Sequence, residues 1–450
     1  MPPRRFTPNA TDEYSLSYTR QEGSKLAPLS TTDPLNIQRY WTWPYWNIDS
    51  IYFLSTTALG DYATLKTRIY RNTFDNLLRS FDKRNENSQT IGKAFNSYYT
   101  DEAHGGSAEL DVRPAPTDRL SLALHYRRDK HVEWQQAFPS GVTEPHQTLI
   151  EDSYGIAGQN VWAITPTVEF RAGISYDWKD LKQAEDYANN AFVFYPLRNT
   201  GALNGQGQIS WRPDKDTELH ASISDRVRFP TLFERFSSRF GGAVSNPDLR
   251  PERAVNYEIG GARNLGVLHA EGAIFYSHLT DVIVSEPFIY TSCVGEVCTP
   301  NAVTKSFNLG HGNYYGAEIS LSAQLGATLS VGGNYTYTHR SLRDPGAPIF
   351  RPTDVPTHKA FVYADWAPIA RVHILPSADI ASNRWTANSA GTVYFRTGSY
   401  VNASLRVDYD LLDNVQLGVG ARNLFDDNYQ LVDGFPEACR SYFVSIRARY

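Results

Sequence analysis

Apolar and polar residues alternate with period two along most of the chain. Leu120, Leu122, Leu124 and Tyr126 share one face, with Ser121 and His125 on the other. Val168, Phe170, Ala172, Ile174 and Tyr176 alternate with Glu169, Arg171 and Ser175. Leu219, Ala221, Ile223 and Val227 alternate with Glu218, His220, Ser222, Ser224, Arg226 and Arg228. Late in the chain, Val401, Ala403, Leu405, Val407 and Tyr409 oppose Asn402, Ser404, Arg406 and Asp408, and Val415, Leu417 and Val419 oppose Asn414 and Gln416. Side chains repeat every two residues in a strand, so this pattern predicts strands with one apolar and one polar face. No long segment carries an apolar stripe at helical spacing.

Alternation by itself fits both a soluble sandwich and a membrane barrel, and the connections separate the two. Short links fall near Gly60-Asp61, Pro114–Asp118, Thr165-Pro166, Pro213–Asp216, Asn264–Gly266, Gly326, Ala367–Ile369 and Leu412–Asn414. Long ones fall at 23–46, 75–97, 128–147, 179–200, 229–251, 280–310, 339–354, 383–398 and 425–440. A meander with tight turns at one end and long loops at the other is the pattern of an outer-membrane barrel. The reading is an all-β, antiparallel transmembrane β-barrel occupying 1–450 as one domain. Its strands number about 18, at 12–22, 47–58, 62–74, 98–112, 118–128, 148–162, 167–178, 201–212, 216–228, 252–263, 267–279, 311–324, 327–339, 356–366, 370–382, 399–411, 414–424 and 441–450.

Composition narrows the picture. Aromatics make up 13% of the 450 residues and Met occurs once, which leans towards β structure. The net charge of −5 gives no general attraction to nucleic acid. Of three cysteines, Cys293 and Cys298 lie close together in a loop-like segment, and Cys439 stands alone. The pair suits a disulfide in an oxidising compartment or half of a metal site, and no further ligands stand nearby. Arg4 and Arg5 are not followed by an apolar run, so the start is not a signal peptide.

One region is specific. Arg228, Pro230 and Glu234 form an Arg-x-Pro-x-x-x-Glu element, followed by Asn246-Pro247-Asp248-Leu249-Arg250-Pro251-Glu252 and by Glu258 and Gly260 in the next strand. Gly316-Ala317-Glu318, Val355-Pro356-Thr357-His358-Lys359 and Asn423-Leu424-Phe425-Asp426-Asp427-Asn428-Tyr429 follow in order. Together these resemble the barrel signature of TonB-dependent outer-membrane receptors over about 220–450, whereas 1–219 match in pattern alone. Each element has a structural use: prolines stop the ladder, Arg228 and Glu234 pair at the rim, and Asn246 opens a turn.

The resemblance implies a barrel of 22 strands, an N-terminal plug and a short TonB-box. The expectation is therefore an N-terminally truncated receptor barrel, lacking plug, TonB-box and signal peptide and unable to transport alone. The resemblance further implies the outer membrane of a Gram-negative bacterium, with partners in outer-membrane lipid, a small-molecule cargo such as a metal chelate and, for a full-length receptor, the TonB complex.

No Ser-His-Asp order or carboxylate pair suggests an enzyme, the scattered histidines argue against a zinc site, and no cofactor is implied. A ferric siderophore is the default cargo by analogy. Receptors resembling haem importers usually carry a His between the Arg-x-Pro and Asn-Pro-x-Leu elements, and none stands between His220 and His269, which lowers haem. Cobalamin, haem or oligosaccharide uptake, or a passive porin, are the alternatives. Trp41, Trp43 and Trp46 crowd the segment from Tyr40, placed in an extracellular loop, and fit either a stacking platform for ligand or an interfacial aromatic girdle, the latter preferred.

Overall fold

The computed structural model describes residues 4–449 apart from 36, 85–87, 189, 239–241, 295–296, 343–349 and 389–392, with backbone alone at 287, 290, 292–294, 297, 299 and 301–302. One sheet of 22 strands dominates. Eighteen are long. These are β1 (Glu13–Gln21), β2 (Trp41–Leu59), β3 (Ala63–Ser80), β4 (Phe95–Ala115), β5 (Asp118–Ala137), β6 (Gln147–Thr165), β7 (Val168–Ala188), β8 (Thr200–Asp214) and β9 (Thr217–Arg228). They continue as β10 (Glu252–Leu265), β11 (Leu268–Val294), β12 (Val297–Gln324), β13 (Leu329–Leu342), β14 (His358–Trp366), β15 (Val372–Ala381), β16 (Tyr400–Leu412), β17 (Val415–Arg422) and β18 (Ser441–Ala448). Four short pieces complete the sheet, at Arg4–Phe6, Lys25–Leu26, Ala191–Phe194 and Ala243–Val244. Each long strand pairs antiparallel with the next in sequence, for example Leu59↔Ala63, Leu265↔Leu268 and Leu412↔Val415 across three tight turns. Gly60 and Gly266 hold positive φ angles of 72° and 62° in those turns, where a Cβ would be strained.

The registers put Asp61, Pro116, Asp214 and Asp413 in short turns at one end. Trp43, the backbone of Tyr290, and Trp385 stand at the other, while Arg343 lies outside the described residues. All eighteen expected strands are present. Arg4–Phe6 adds a strand that was not foreseen, paired to β1. Among the described residues no register joins β18 to β1 or to Arg4–Phe6, so the sheet is open.

The main corrections concern the long connections. The 280–310 segment is not a loop: β11 and β12 stay paired as far as Val294↔Val297. Trp41–Trp46 is likewise strand, the opening of β2. Alternation ends where lipid ends, but backbone pairing does not. Above the membrane the ladder continues without strict alternation: Val282-Ile283-Val284 run consecutively, and Val282 and Leu309 are buried with Leu342 in an apolar cluster.

The two faces sort as the alternation implies. Leu219, Ile223, Val401 and Val419 are exposed on the outer face, with Ala221, Ala403, Leu405 and Leu417 half-exposed on the same rows. The inner face is cross-linked by polar contacts, including Arg212 to Glu218, His220 Nε2 to Glu258 at 3.0 Å, and Arg406 to Asp408. Lys66, Glu109, Asp111, Arg119, Gln159 and Gln206 line a cavity of about 350 Å³ on this face. Gly260 sits opposite His220 because a Cβ there would come within 2.8 Å of the imidazole.

Outward aromatics mark the membrane boundaries. Tyr126, Tyr154 and Trp178 form an upper row with centroids 5.2 and 5.1 Å apart, and Trp162 stacks on Phe170 in a lower row. Eight residues separate the rows on β6 and on β7, which at ~3.4 Å per residue and a tilt of ~40° spans ~21 Å of apolar wall. Above the upper row the outer face of β5 turns to Arg128 and Lys130.

Ile259, 62% exposed in the middle of that band, gives a direct test. Ile259→Arg should lower the stability of the barrel in phospholipid vesicles by about 2–4 kcal/mol in urea titrations. A soluble sheet would tolerate the change.

Candidate functional site

Beyond the upper aromatic row, β2 to β7 continue as a wall around a cavity of about 1070 Å³. Its aromatic side is built by a backbone irregularity. Trp41 and Trp43 share one face of β2 by period two, and Trp46 should fall on the other. Between Thr42 and Tyr45 the register to β3 slips, at Pro44, which has no N–H to give the ladder. The slip changes parity, and Trp41, Trp43 and Trp46 all line the cavity. Trp43 meets Trp41 and Trp46 edge-on at 6.2 Å, and Phe74 meets Trp46 at 4.8 Å. The Lys25 ammonium lies 3.1 Å from the Trp46 ring centre and 4.7 Å from that of Trp43, a cation–π arrangement. These tryptophans therefore face inward, and the girdle is made by the other aromatic rows.

The opposite side is polar. Inward positions of β5 beyond its membrane part are Arg127, Asp129, His131 and Glu133. Arg127 is clamped by Asp129, and His131 Nδ1 stands 2.5 Å from Asp101, with Glu133 at 3.6 Å from Nε2. Burial alone would lower the His131 pKa, but the two carboxylates outweigh it and raise it to about 9. Lys179 and Arg235 both contact Glu151, which is 1% exposed.

Arg235 belongs to a helix, α1 (Leu232–Phe236), inside the expected 229–251 loop. The strand pattern hid it, although Thr231-Leu232-Phe233-Glu234 is a capping-box sequence. Thr231 Oγ1 accepts from the Glu234 N–H at 3.1 Å, and Glu234 Oε2 accepts from the Thr231 N–H at 2.8 Å. Phe236 packs in an apolar cluster with Leu149, Leu181 and Ala184, which seats the helix against the barrel wall. Thr231, Leu232 and Phe233 thereby close one side of the cavity.

The signature residues fix this loop in place. Arg228 bonds both Glu234, at 3.0 Å, and Glu252, at 2.6 Å, and Glu252 accepts from the Ile283 N–H. Pro230 is buried ahead of the helix. Asn246 donates to the Ser306 carbonyl and accepts from the Asp248 N–H across Pro247, Leu249 is buried, and Pro251 precedes β10. Burial opposes ionisation of Glu234, yet the Thr231 N–H and Arg228 hold its carboxyl below the usual range.

At the other motif, Asn423 is buried at positive φ and bonds the Asp427 and Ala438 carbonyls. The Leu424 N–H donates to Ala403, Asp426 accepts from the Arg440 N–H, and Tyr429 stacks on Tyr400 at 4.2 Å, leaving Phe425 exposed. Cys298 is disulfide-bonded, the Cys293 backbone stands directly opposite it, and Cys439 is free. The cysteine pair therefore sits at a hairpin tip rather than in a loop.

Sequence patterns placed the three tryptophans at the right end but missed Asp101, His131, Glu133, Glu151, Lys179 and Arg235. The available signal was the run of alternate polar residues from Arg127 to Glu133, which continues the inner face of β5 past its expected end.

An inward-facing cavity held at the extracellular end of a large antiparallel wall defines a receptor-type outer-membrane barrel. The chain belongs to the TonB dependent receptor-like β-barrel family, whose profile matches residues 3–424. It is 25% identical over 253 residues to an iron-regulated outer membrane virulence protein of Vibrio cholerae serotype O1, covering 52% of this chain and 38% of that protein. The match thus spans less than half of that relative's length. Solved structures share the fold. The copper transporter OprC superposes with TM-score 0.80 at 16% identity, over 99% of this chain and 70% of that one. The siderophore receptor PiuA from Acinetobacter baumannii gives 0.77 at 14%, over 99% and 73%. The ferric yersiniabactin uptake receptor FyuA from Yersinia pestis gives 0.72 at 12%, over 99% and 69%. The family and these neighbours are receptors and transporters.

Two tests follow from the geometry. Because His131 is raised in the folded state, its stabilising pairs are complete below about pH 6.5 and are lost as pH rises through about 9. The melting-temperature advantage of wild type over His131→Gln should shrink across that window. Arg235→Ala should release α1 by leaving Glu151 with Lys179 alone, a loss of about 3–5 kcal/mol for a broken buried pair. Limited proteolysis should then cut within 229–251 while β9 and β10 stay intact.

Proposed function

We propose that this chain is the barrel of an outer-membrane receptor for energised uptake of a scarce metal chelate, most simply a ferric siderophore. The observation that carries this reading is the aromatic-walled cavity at the extracellular end, large enough for a chelate and closed on one side by the signature loop. Trp41, Trp43 and Trp46 serve as its stacking platform. Cargo bound there is delivered inward when the TonB complex pulls on a plug filling the polar lumen. Cys293 and Cys298 clamp the tip of the tallest hairpin. The membrane is the outer membrane of a Gram-negative cell, with its lipid against the apolar band.

The test is radio-iron uptake in cells stripped of their own siderophore receptors. The 450-residue chain is exported with a grafted signal peptide, either alone or fused behind a family plug with its TonB-box. Uptake should occur with the fusion, require TonB, and fall about tenfold or more when the three tryptophans become alanine. Uptake by the chain alone, independent of TonB and unsaturable, would show a passive pore instead.

A further inference from the structure

A third cavity, of about 420 Å³, opens on the outer side of the wall, towards lipid. Its floor is a single outer row. Tyr335 of β13 stands opposite Ala360 of β14, Ala360 opposite Ile380 of β15, and Ile380 opposite Val401 of β16. Residues directly opposite share a face, and Tyr335, Ile380 and Val401 are exposed on it. Ala360 is the smallest side chain of the row and leaves the space that the larger ones border. The groove lies at the upper edge of the apolar band. On β14, Trp366 is exposed on the outer face eight residues below His358, the same spacing that separates the two aromatic rows on β6 and β7. His358 packs with Tyr335 and Tyr337 at centroid distances of 6.1 and 5.4 Å, which makes an upper aromatic row on this side of the sheet as well.

Above the floor the lining turns polar, with His358, Ser382, Ser399 and Asp427. His358 Nδ1 and the Tyr335 hydroxyl lie 2.7 Å apart, and Nε2 has no protein partner among the described residues. The Ser382 hydroxyl accepts from the His358 N–H at 3.1 Å, and the Ser399 hydroxyl has no protein partner among the described residues. The Asp427 carboxylate accepts at 3.4 Å from the Val401 N–H, above the Leu405↔Ala421 pair where the β16–β17 ladder ends. Lys359 also borders the cavity, but it alternates with His358 and Ala360 and belongs to the inner row of Thr336 and Ala381, the latter 2% exposed. Of these two charged residues of the lining, Asp427 is the one that presents its charge to the groove.

We propose that this groove binds one lipid of the outer membrane, with an acyl chain along Ala360, Ile380 and Val401 and an uncharged, hydroxyl- or amide-bearing headgroup against His358, Ser399 and Asp427. The ligand class is a saccharide-headed lipid. The surrounding hydrocarbon is as apolar as the groove, so the chain gains packing alone and the headgroup decides the choice. Asp427 and the two serine hydroxyls offer acceptors to O–H and N–H donors. An anionic phosphodiester at the same height meets the Asp427 carboxylate as a like charge in a partly desolvated place. The site lies on β13 to β16 and faces lipid, apart from the inward cavity of β2 to β7.

The test is native mass spectrometry of the 450-residue chain in detergent micelles, with heat-modifiable gel migration verifying the fold of each variant. The probes are a phosphate-free disaccharide lipid with amide-linked acyl chains and phosphatidylglycerol. Wild type should bind a single disaccharide lipid about tenfold more tightly than phosphatidylglycerol, the yield of one or two net hydrogen bonds. Ala360→Trp fills the groove and should weaken that binding about tenfold or more, whereas Ala364→Trp, outward on β14 nearer the lower boundary, should leave it within about twofold. Asp427→Asn should raise the affinity for phosphatidylglycerol about threefold or more by removing the like charge. Equal binding of the two lipids by wild type, or tighter binding of phosphatidylglycerol, would overturn the saccharide headgroup. Equal losses from the two tryptophan variants, or none from Ala360→Trp, would overturn the groove as the site. An unchanged affinity for phosphatidylglycerol in Asp427→Asn would overturn the part given to Asp427.

Discussion

Lipid offers no hydrogen-bond partner, so every backbone N–H and C=O within the membrane must find one in the protein. Between β1 and β18 this chain meets that constraint by pairing each long strand with its sequence neighbours, turn after turn, and among the described residues only the two edges of the open sheet lack a strand partner. The consequences reach every level of the structure. Tight turns must sit at one end, outward positions must be apolar, and inward positions are free to be polar. The rows of Tyr126, Tyr154 and Trp178 above, and of Trp162 and Phe170 below, mark where the constraint starts and stops.

Where the constraint stops, the chain is free to build something else. The strands rise past the upper aromatic row, and their inner faces become walls of a vestibule. There Pro44 interrupts the ladder at the cost of one hydrogen-bonded register, and this turns three tryptophans to the same side. On the facing wall, carboxylates and cations are held against one another, and α1 is pinned over Glu151 through Arg235. Buried ion pairs contribute little net stability against an apolar alternative, but removing one partner is severe. Here the Arg235–Glu151 pair fixes the position of the helix.

Much of the architecture was legible because lipid writes a strict period-two code. Leu219 to Ile223 and Val401 to Leu405 could be assigned to faces directly, and Asp214 and Asp413 to turns. The family signature could be read from Arg228 to Glu252, because those residues hold the backbone in a fixed shape. The extended β11–β12 hairpin was not legible, since the consecutive apolar residues Val282-Ile283-Val284 break the period-two alternation that marks the other strands. Neither was the orientation of Trp46, which depends on a one-residue slip at Pro44. The ion-pair wall escaped for a third reason: Asp101 meets His131, and Glu151 meets Lys179, only across strands, through registers that no local pattern reveals.

The central claim is that two sets of tryptophans on one sheet face opposite surroundings, lipid for one and an inner cavity for the other. Quenching by brominated phospholipids in reconstituted vesicles separates them, using variants that retain one tryptophan each. Trp162 should be strongly quenched by the brominated acyl chains and Trp46 little affected. Strong lipid quenching of Trp46, or none of Trp162, would contradict the account.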